Sequence, residues 1–325
     1  MRRSIAGLAV LALPLTVIPA LPAAAASFQY CAEAGYLPPI PDSEHVQPTG
    51  AQAADPSGRY QVASTLSSDV SGRMGAWIWR NGVGSRLIPL TSGYLEVNDV
   101  NTRGETIGMA YGESVSPHGW RIRNGKRTEL PQPAGVEDSR PIALNASGEA
   151  AGNSSSDGGR AVAWAADDSG RVLAVPTGFD STEATDIDDD GLVVGTATKH
   201  EDGMPVDIRP VVWTAEGDVR VLPTEGEGSA KAVRNGIAVG SDSSGSVRWD
   251  LTNDTRTNLS TVESSATAIN AGGDVLTENL WTEPDVPTIQ FLRKGQPARG
   301  VQQSRPNLLT DSARVYAGLA YYECG

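Results

Sequence analysis

A chain of 325 residues with 36 glycines, 21 prolines and 6% aromatics exceeds the share of about 12% that glycine and proline have in average soluble proteins, and so favours a turn-rich, all-β domain. Its 26 basic against 39 acidic residues, a net charge of −13, argue against a nucleic-acid partner. Beyond the N-terminus no apolar run approaches the roughly 18 residues of a membrane span, so no membrane insertion is expected, and two cysteines and three histidines leave little material for a zinc cluster.

Residues 1–26 combine Arg2 and Arg3, an apolar stretch from Ile5 to Val17 and the run Ala24-Ala25-Ala26. This pattern predicts a cleavable secretory signal, cut near Ala26–Ser27, and hence an extracellular location. Residues 27–325 then form one domain, expected to be a monomer. Arginine far outnumbers lysine, which suggests a GC-rich bacterial source.

The rest of the chain repeats. An Asn/Asp-x-x-Gly turn followed by a short apolar run recurs at Asp55–Gly58, Asn101–Gly104, Asn145–Gly148, Asp188–Gly191 and Asn270–Gly273, with degenerate copies at Val233–Gly236 and Asp311–Arg314. The period is roughly 43 residues. Asn or Asp at the first position and Gly at the fourth suit a type I turn, whose backbone the side chain caps. Four residues after the turn glycine comes a second one at Gly108, Gly152, Gly195 and Gly240. An aromatic follows at Trp77, Trp120, Trp164, Trp213, Trp249, Phe291 and Tyr321, and then Leu-Pro or a variant, as in Ile88-Pro89, Leu130-Pro131, Val175-Pro176 and Leu222-Pro223. Runs such as Leu192-Val193-Val194 are too short for helices and rich in β-branched residues, so they read as strands. Each unit is therefore four strands: A before the turn, B after it, C with the aromatic and D ending at Leu-Pro. Seven such units predict a seven-bladed β-propeller of four-stranded blades, with a β-solenoid as the alternative.

The units resemble the repeats of the HAF family of predicted extracellular proteins, whose third strand reads His-Ala-Phe. His118-Gly119-Trp120 is the nearest copy, and Gly75-Ala76-Trp77 and Val162-Ala163-Trp164 keep the small-aromatic step. Ala268-Ile269-Asn270 and Gly191-Leu192-Val193-Val194-Gly195 match the turn and the strand after it. The resemblance implies a secreted repeat protein and supplies no catalytic residues.

The seventh unit ends before a D strand, and Tyr36-Leu37-Pro38 near the N-terminus matches one. An N-terminal strand swapped into the last blade would close the ring. Cys31 and Cys324 then fall on neighbouring strands, where an oxidising compartment favours a disulfide.

Length varies mostly between strands B and C, on the face shared with the D-to-A connections, and variable loops are where propellers carry function. Tyr94 and Phe179, assigned to D-to-A connections, and Tyr111 and Trp281, assigned to B-to-C loops, form the candidate ligand site, because exposed aromatics stack on sugars or anchor protein partners. The opposite face of short turns is expected to be inert. Asp186, Asp188 and Asp190 before Gly191 imitate the start of a calcium loop, but its twelfth position is Ala197 rather than Glu. No other cofactor is suggested. His45, His118 and His200 show no triad or ligand spacing. The expected function is a recognition scaffold for an extracellular glycan, protein or cell-wall component. The alternatives are a carbohydrate-active hydrolase or lyase with a carboxylate pair in the central funnel, or a structural surface protein.

Overall fold

The computed structural model describes residues 29–39, 46–48, 50–67, 74–91, 93–112, 115–155, 158–260, 263–279, 288–294, 296–301 and 308–324. They form seven antiparallel sheets and, among the described residues, no α-helix. From the inner strand A to the outer strand D, blade two comprises Tyr94–Val100, Thr106–Gly112, Val115–Arg123 and Lys126–Glu129. Blade three comprises Arg140–Leu144, Ala150–Ser154, Arg160–Trp164 and Gly170–Val172; blade four Ser181–Ile187, Val193–Glu201, Met204–Trp213 and Val219–Val221. Blade five comprises Gly228–Arg234, Ile237–Asp242, Gly245–Asp250 and Thr255–Asn258, and blade six Ser264–Ile269, Val275–Asn279, Ile289–Arg293 and Gln296–Val301. Blade one divides its inner edge between Val46–Pro48 and Ala53–Ala54, followed by Tyr60–Ser67, Met74–Arg80 and Val83–Thr91.

Blade seven takes Leu308–Leu309, Arg314–Ala317 and Ala320–Glu323 from the C-terminus and its outer strand, Ala32–Tyr36, from the N-terminal part of the chain. Ala32 lies opposite Glu323 and Tyr36 opposite Ala320. Cys31 and Cys324 are joined by a disulfide. The same segment also grips blade six: Cys31 N–H donates to the Gly300 carbonyl (2.8 Å), and Gly300 N–H to that of Gln29 (2.7 Å). The swapped strand inferred from Tyr36-Leu37-Pro38 is thus present, with the C-terminus supplying strand C.

Neighbouring blades are joined by a recurring indole bond. Trp164 Nε1 donates to the Pro131 carbonyl (2.9 Å), Trp213 to Ala174 (2.7 Å), Trp249 to Pro223 (2.6 Å) and Trp79 to Pro38 (2.9 Å). Each bond runs from strand C of one blade to the end of strand D in the blade before it, which gives the aromatic and the Leu-Pro landmarks one shared purpose. Two landmarks read from sequence shift. In blade one it is Trp79 rather than Trp77 that makes the bond, and in blade seven the strand register puts Tyr322, not Tyr321, opposite Val315 as Trp164 is opposite Ala150. In blade two that position holds Ile122, opposite Thr106, so Trp120 is buried without a partner for its indole N–H among the described residues.

The A-to-B turns form a second belt. Asn101 donates its side-chain amide to the Asn145 carbonyl (3.0 Å), Asn145 to Asp188 (2.9 Å) and Asn270 to Thr310 (3.2 Å). The seventh turn is Thr310–Ala313, where Ala313 N–H bonds to the Thr310 carbonyl (3.0 Å), one residue earlier than the sequence spacing suggests. The fifth is a two-residue hairpin: Arg234 pairs with Ile237, and Asn235 and Gly236 have φ of 51° and 71°, the type I′ geometry favoured by Asn-Gly. This tight turn offers blade four an amide instead of a carbonyl, and Gly236 N–H donates to Asp188 Oδ2 (3.2 Å). An acceptor is needed there, so the turn carries Asp188 where the turns of blades two, three and six carry Asn101, Asn145 and Asn270.

Strand A of blades two to six bulges at Asn98, Ile142, Thr185, Lys231 and Thr267, where the pairing register slips. In blades two to five the second glycine of the repeat lies against the bulge, whereas blade six bulges with Thr277 at that position. A Cβ on Gly195 would lie 1.9 Å from the Glu183 carbonyl oxygen, on Gly152 2.1 Å from that of Arg140, and on Gly108 and Gly240 2.0 Å from those of Glu96 and Ser229.

Two outcomes follow for stability. Trp213→Phe removes the donor to the Ala174 carbonyl and the buried second ring, and should cost about 1–3 kcal/mol in urea denaturation. Removing the disulfide by Cys324→Ser frees a loop that spans almost the whole chain, a loss on the order of 5 kcal/mol in the chain-entropy model. The melting temperature should fall well below that of Trp213→Phe.

Candidate functional site

Two cavities lie where the blades converge. The first, about 300 Å³, follows the axis and is lined by inner-strand residues and A-to-B turns of all seven blades. The bulges direct Asn98, Ile142, Thr185, Lys231 and Thr267 to this channel. Arg234 bridges its end on the turn face: Nη1 reaches Asp189 Oδ2 in blade four (3.0 Å), and Nη2 reaches Asp311 Oδ2 in blade seven (3.3 Å). The other oxygens of these acids accept Ala146 N–H and Ala271 N–H (2.8 Å each).

Two carboxyl groups line the channel wall in equivalent places. Asp99 accepts Val100 N–H (2.8 Å) and, across the blade junction, Leu144 N–H (2.7 Å). Asp186 accepts Ile187 N–H and, in blade five, Val233 N–H (both 2.8 Å). Part of each residue borders the channel, yet protein surrounds the carboxyl groups. Burial is the main cause that pushes Asp99 up to about 8 and Asp186 up to about 7, against the opposing pull of their amide bonds. Asp186 adds repulsion on Asp99. Burial likewise raises Asp188.

Two of the three acids read from sequence as a calcium loop, Asp186 and Asp188, are therefore engaged in blade joining. Asp188 Oδ1 accepts Asp190 N–H and Leu192 N–H (3.0 Å each) within the turn, and its Oδ2 accepts Gly236 N–H. Among the described residues, no three His, Cys, Asp or Glu side chains are grouped to hold a metal ion.

The second cavity, about 530 Å³, opens on the variable face between blades two, three and four. Met109, Tyr111, Pro117, Asp138, Arg140, Asn153, Ser154, Ser155, Gly158, Gly159, Ser181, Thr182, Glu183, Thr198 and His200 line it. Several of these groups serve the fold. Asn153 both donates to the Ala184 carbonyl (3.0 Å) and accepts its N–H (2.7 Å), and Asp138 accepts the Ser154 hydroxyl (2.7 Å). Arg140 pairs with Glu96 (2.8 Å). His200 is fixed by Asp180, whose Oδ1 meets Nδ1 at 2.6 Å and whose Oδ2 accepts the His200 N–H at 2.7 Å. These bonds hold the Asp180 carboxyl below its usual range. Nε2 of His200, the Glu183 carboxylate and the Tyr111 hydroxyl have no hydrogen-bond partner among the described residues, which leaves them for a ligand.

Tyr94 and Tyr111 meet edge to face, with ring centroids 5.1 Å apart. They do not lie in connections, as their sequence positions suggested, but form a cross-strand pair at the ends of strands A and B. Phe179 does lie in a connection, yet it packs against the core shared by blades three and four and so serves as a cover. Trp281 and His45 fall outside the described residues. In blade four the extra length between strands B and C is hairpin length. There Glu201 pairs with Met204 across a two-residue Asp202–Gly203 turn, where φ is 52° and 77°, and the hairpin carries His200 to the cavity. Sequence reasoning missed Arg140, Glu183 and the Asp180–His200 pair. They share no motif, and the only signal was the long B-to-C spacing of the fourth unit.

Solved structures place the fold among known ones. The chain is similar to one from the crystal structure of the mitotic checkpoint complex, with 12% identity, TM-score 0.54 and coverage of 97% of this chain and 98% of that one. It is also similar to the β-propeller domain of the Trilobed protease from Pyrococcus furiosus, described as having an open velcro topology, with 7% identity, TM-score 0.51 and coverage of 86% and 81%. The fold is a seven-bladed β-propeller. A prolyl endopeptidase matches at 11% identity and TM-score 0.50 over 77% of this chain. The propeller spans only 40% of that endopeptidase and 53% of TolB from Acinetobacter baumannii, which it matches at 12% identity and TM-score 0.40 over 65% of its own length. Such identities speak to the fold alone. No protein-family model matches the sequence, and no curated protein is recognisably similar to it.

The raised carboxyls fix a pH dependence. Between the ordinary carboxyl range near pH 4 and their folded values, Asp99 and Asp186 hold protons that the unfolded chain has released. Stability contributed by them should therefore fall as pH rises through this window. The melting temperature is expected to be higher at about pH 5 than at about pH 8.5, and Asp99→Asn should flatten that slope while lowering stability at both. An unchanged slope in the variant would assign the pH dependence to other groups.

Proposed function

We propose that this propeller is an exported recognition scaffold that takes a neutral, sugar-sized polar ligand in the cavity between blades two, three and four. The observation that carries this reading is the cavity itself. Its volume of about 530 Å³ lies within the few hundred to about 1,000 Å³ usual for small-molecule sites. It offers the unpartnered Glu183, Tyr111 and His200 groups to ligand hydroxyls, and the Tyr94–Tyr111 pair gives a stacking surface beside it. Arg140 is matched by Glu96 and His200 by Asp180, and the Glu183 carboxylate in the lining accepts ligand hydroxyls and disfavours an anion. Export is supported by the disulfide, which persists in oxidising compartments, and by the leader pattern of residues 1–26, which lie outside the described residues. The likeness to HAF-type repeats belongs to the same reading.

A carbohydrate-active enzyme is the second reading, because Asp99 and Asp186 border the central channel. Every one of their oxygens is taken by a backbone amide, which favours recognition over catalysis there.

A glycan array probed with the full chain tests the proposal. Tyr111→Ala and Glu183→Ala should each weaken a hit by about 30-fold, the loss of roughly 2 kcal/mol typical of a key contact. Arg103→Ala, on the turn face, should not. A hit lost in Arg103→Ala and kept in both cavity variants would move the site to the other face.

A further inference from the structure

On the turn face, the junction between blades two and three is filled by Arg121. Its side chain is fully buried: Nε lies 3.1 Å from Asp168 Oδ1, Nη1 lies 3.9 Å from Glu105 Oε2, and Nη1 donates to the Gly148 carbonyl. Arg121 stands opposite Ile107, three residues after the turn glycine. The same register position, facing the following blade, holds Ala163 opposite Ala151 in blade three, Val212 opposite Val194 in blade four, Arg248 opposite Val239 in blade five and Phe291 opposite Leu276 in blade six. Only blade three fills it with a single methyl group.

That alanine leaves a cavity of about 270 Å³ between blades three and four, bordered by Glu149, Ala163, Arg171, Gly191 and Ala215 among others. The groups that hold the Arg121 guanidinium one junction earlier have counterparts here. Glu149 follows its turn glycine as Glu105 does, and the Gly191 carbonyl stands for that of Gly148. Glu149 Oε2 accepts the Asn145 side-chain amide (2.8 Å) and the Ser147 hydroxyl (3.1 Å), while Oε1 has no partner among the described residues. Arg171 donates to the Ala215 carbonyl (2.8 Å) as Arg123 donates to that of Ala166 (2.8 Å). A neighbouring cation is therefore compatible with a guanidinium in the slot. Asp168 is matched by Gly217, so a guest would meet one carboxylate rather than two.

We propose that this slot binds a guanidinium group, the arginine head of a partner peptide or a free guanidinium compound, in the place that Arg121 fills between blades two and three. It is separate from the sugar-sized cavity and lies on the opposite face, contrary to the expectation that this face is inert. An ammonium group fits the same charge but not the planar fork that a carboxylate and a carbonyl can receive together.

The full chain should be titrated with methylguanidinium, free L-arginine and an acetylated, amidated Gly-Arg-Gly tripeptide, with methylammonium and the lysine tripeptide as controls. Guanidinium probes are expected to bind with a dissociation constant on the order of 1 mM and about tenfold more tightly than ammonium probes. Binding should vanish when the slot is filled by Ala163→Arg or Ala163→Leu. Where either variant fails to fold, Ala163→Val, the residue type that blade four carries here, should still weaken it. Preference for the tripeptide over free arginine identifies a protein partner, and equal binding identifies a small molecule. The absence of a guanidinium preference in the native chain, or binding that survives filling the slot, would overturn the proposal.

Discussion

The close approach of Gly108, Gly152, Gly195 and Gly240 to the inner strand is the contact on which most of this architecture depends. In blades two to five strand A bulges tightly against this glycine and gains one residue; blade six makes the same bulge against Thr277. The extra residue turns its side chain toward the axis and so decides what lines the channel. The bulge also turns inner-strand amides away from their own sheet, and buried amides need acceptors. The preceding blade supplies them: Ser64 for Val97 (3.0 Å), Asp99 for Leu144, Asn153 for Ala184 and Asp186 for Val233. Blade junctions are thus joined by polar bonds near the axis and by apolar packing with indole bonds farther out.

This division of labour explains why the acidic residues of the inner strands are a poor guide to chemistry. Asp99 and Asp186 look like catalytic acids by position and by their raised pKa, and Asp188 looks like a metal ligand by spacing. Each is an acceptor placed where the next blade presents an amide. The groups with capacity to spare lie instead where the repeat is least regular, at the long hairpin of blade four and at the junction where Ala163 replaces a larger residue.

Much of the fold was legible in the sequence. The turns, the second glycines, the tryptophans and Leu-Pro each encode a local necessity, and Cys31 with Cys324 revealed how the ring closes. What escaped was whatever depends on register between blades. The bulges were invisible because the glycines signal them only through a neighbour's carbonyl. Tyr94 and Tyr111 were assigned to connections because spacing alone cannot distinguish a longer loop from a longer hairpin. The cavity between blades two, three and four draws on segments roughly 90 residues apart with no shared pattern, and a hole such as that beside Ala163 shows only when the repeats are aligned through their strands.

The clasp formed by Ala32–Tyr36 and Ala320–Glu323 also sets the order in which the molecule can be finished. During synthesis the segment that will become the outer strand emerges first but finds its partner last. It must stay unpaired while six blades assemble. Its contacts are among the most distant in the chain, so their loop-closure cost falls on the final step. A chain that lacked Ala320–Glu323 would retain six complete blades and an open ring, with unpaired edges of the kind that quality control and proteases recognise. Closure of the ring therefore waits for the Ala320–Glu323 strand, and the two cysteines become neighbours only with it.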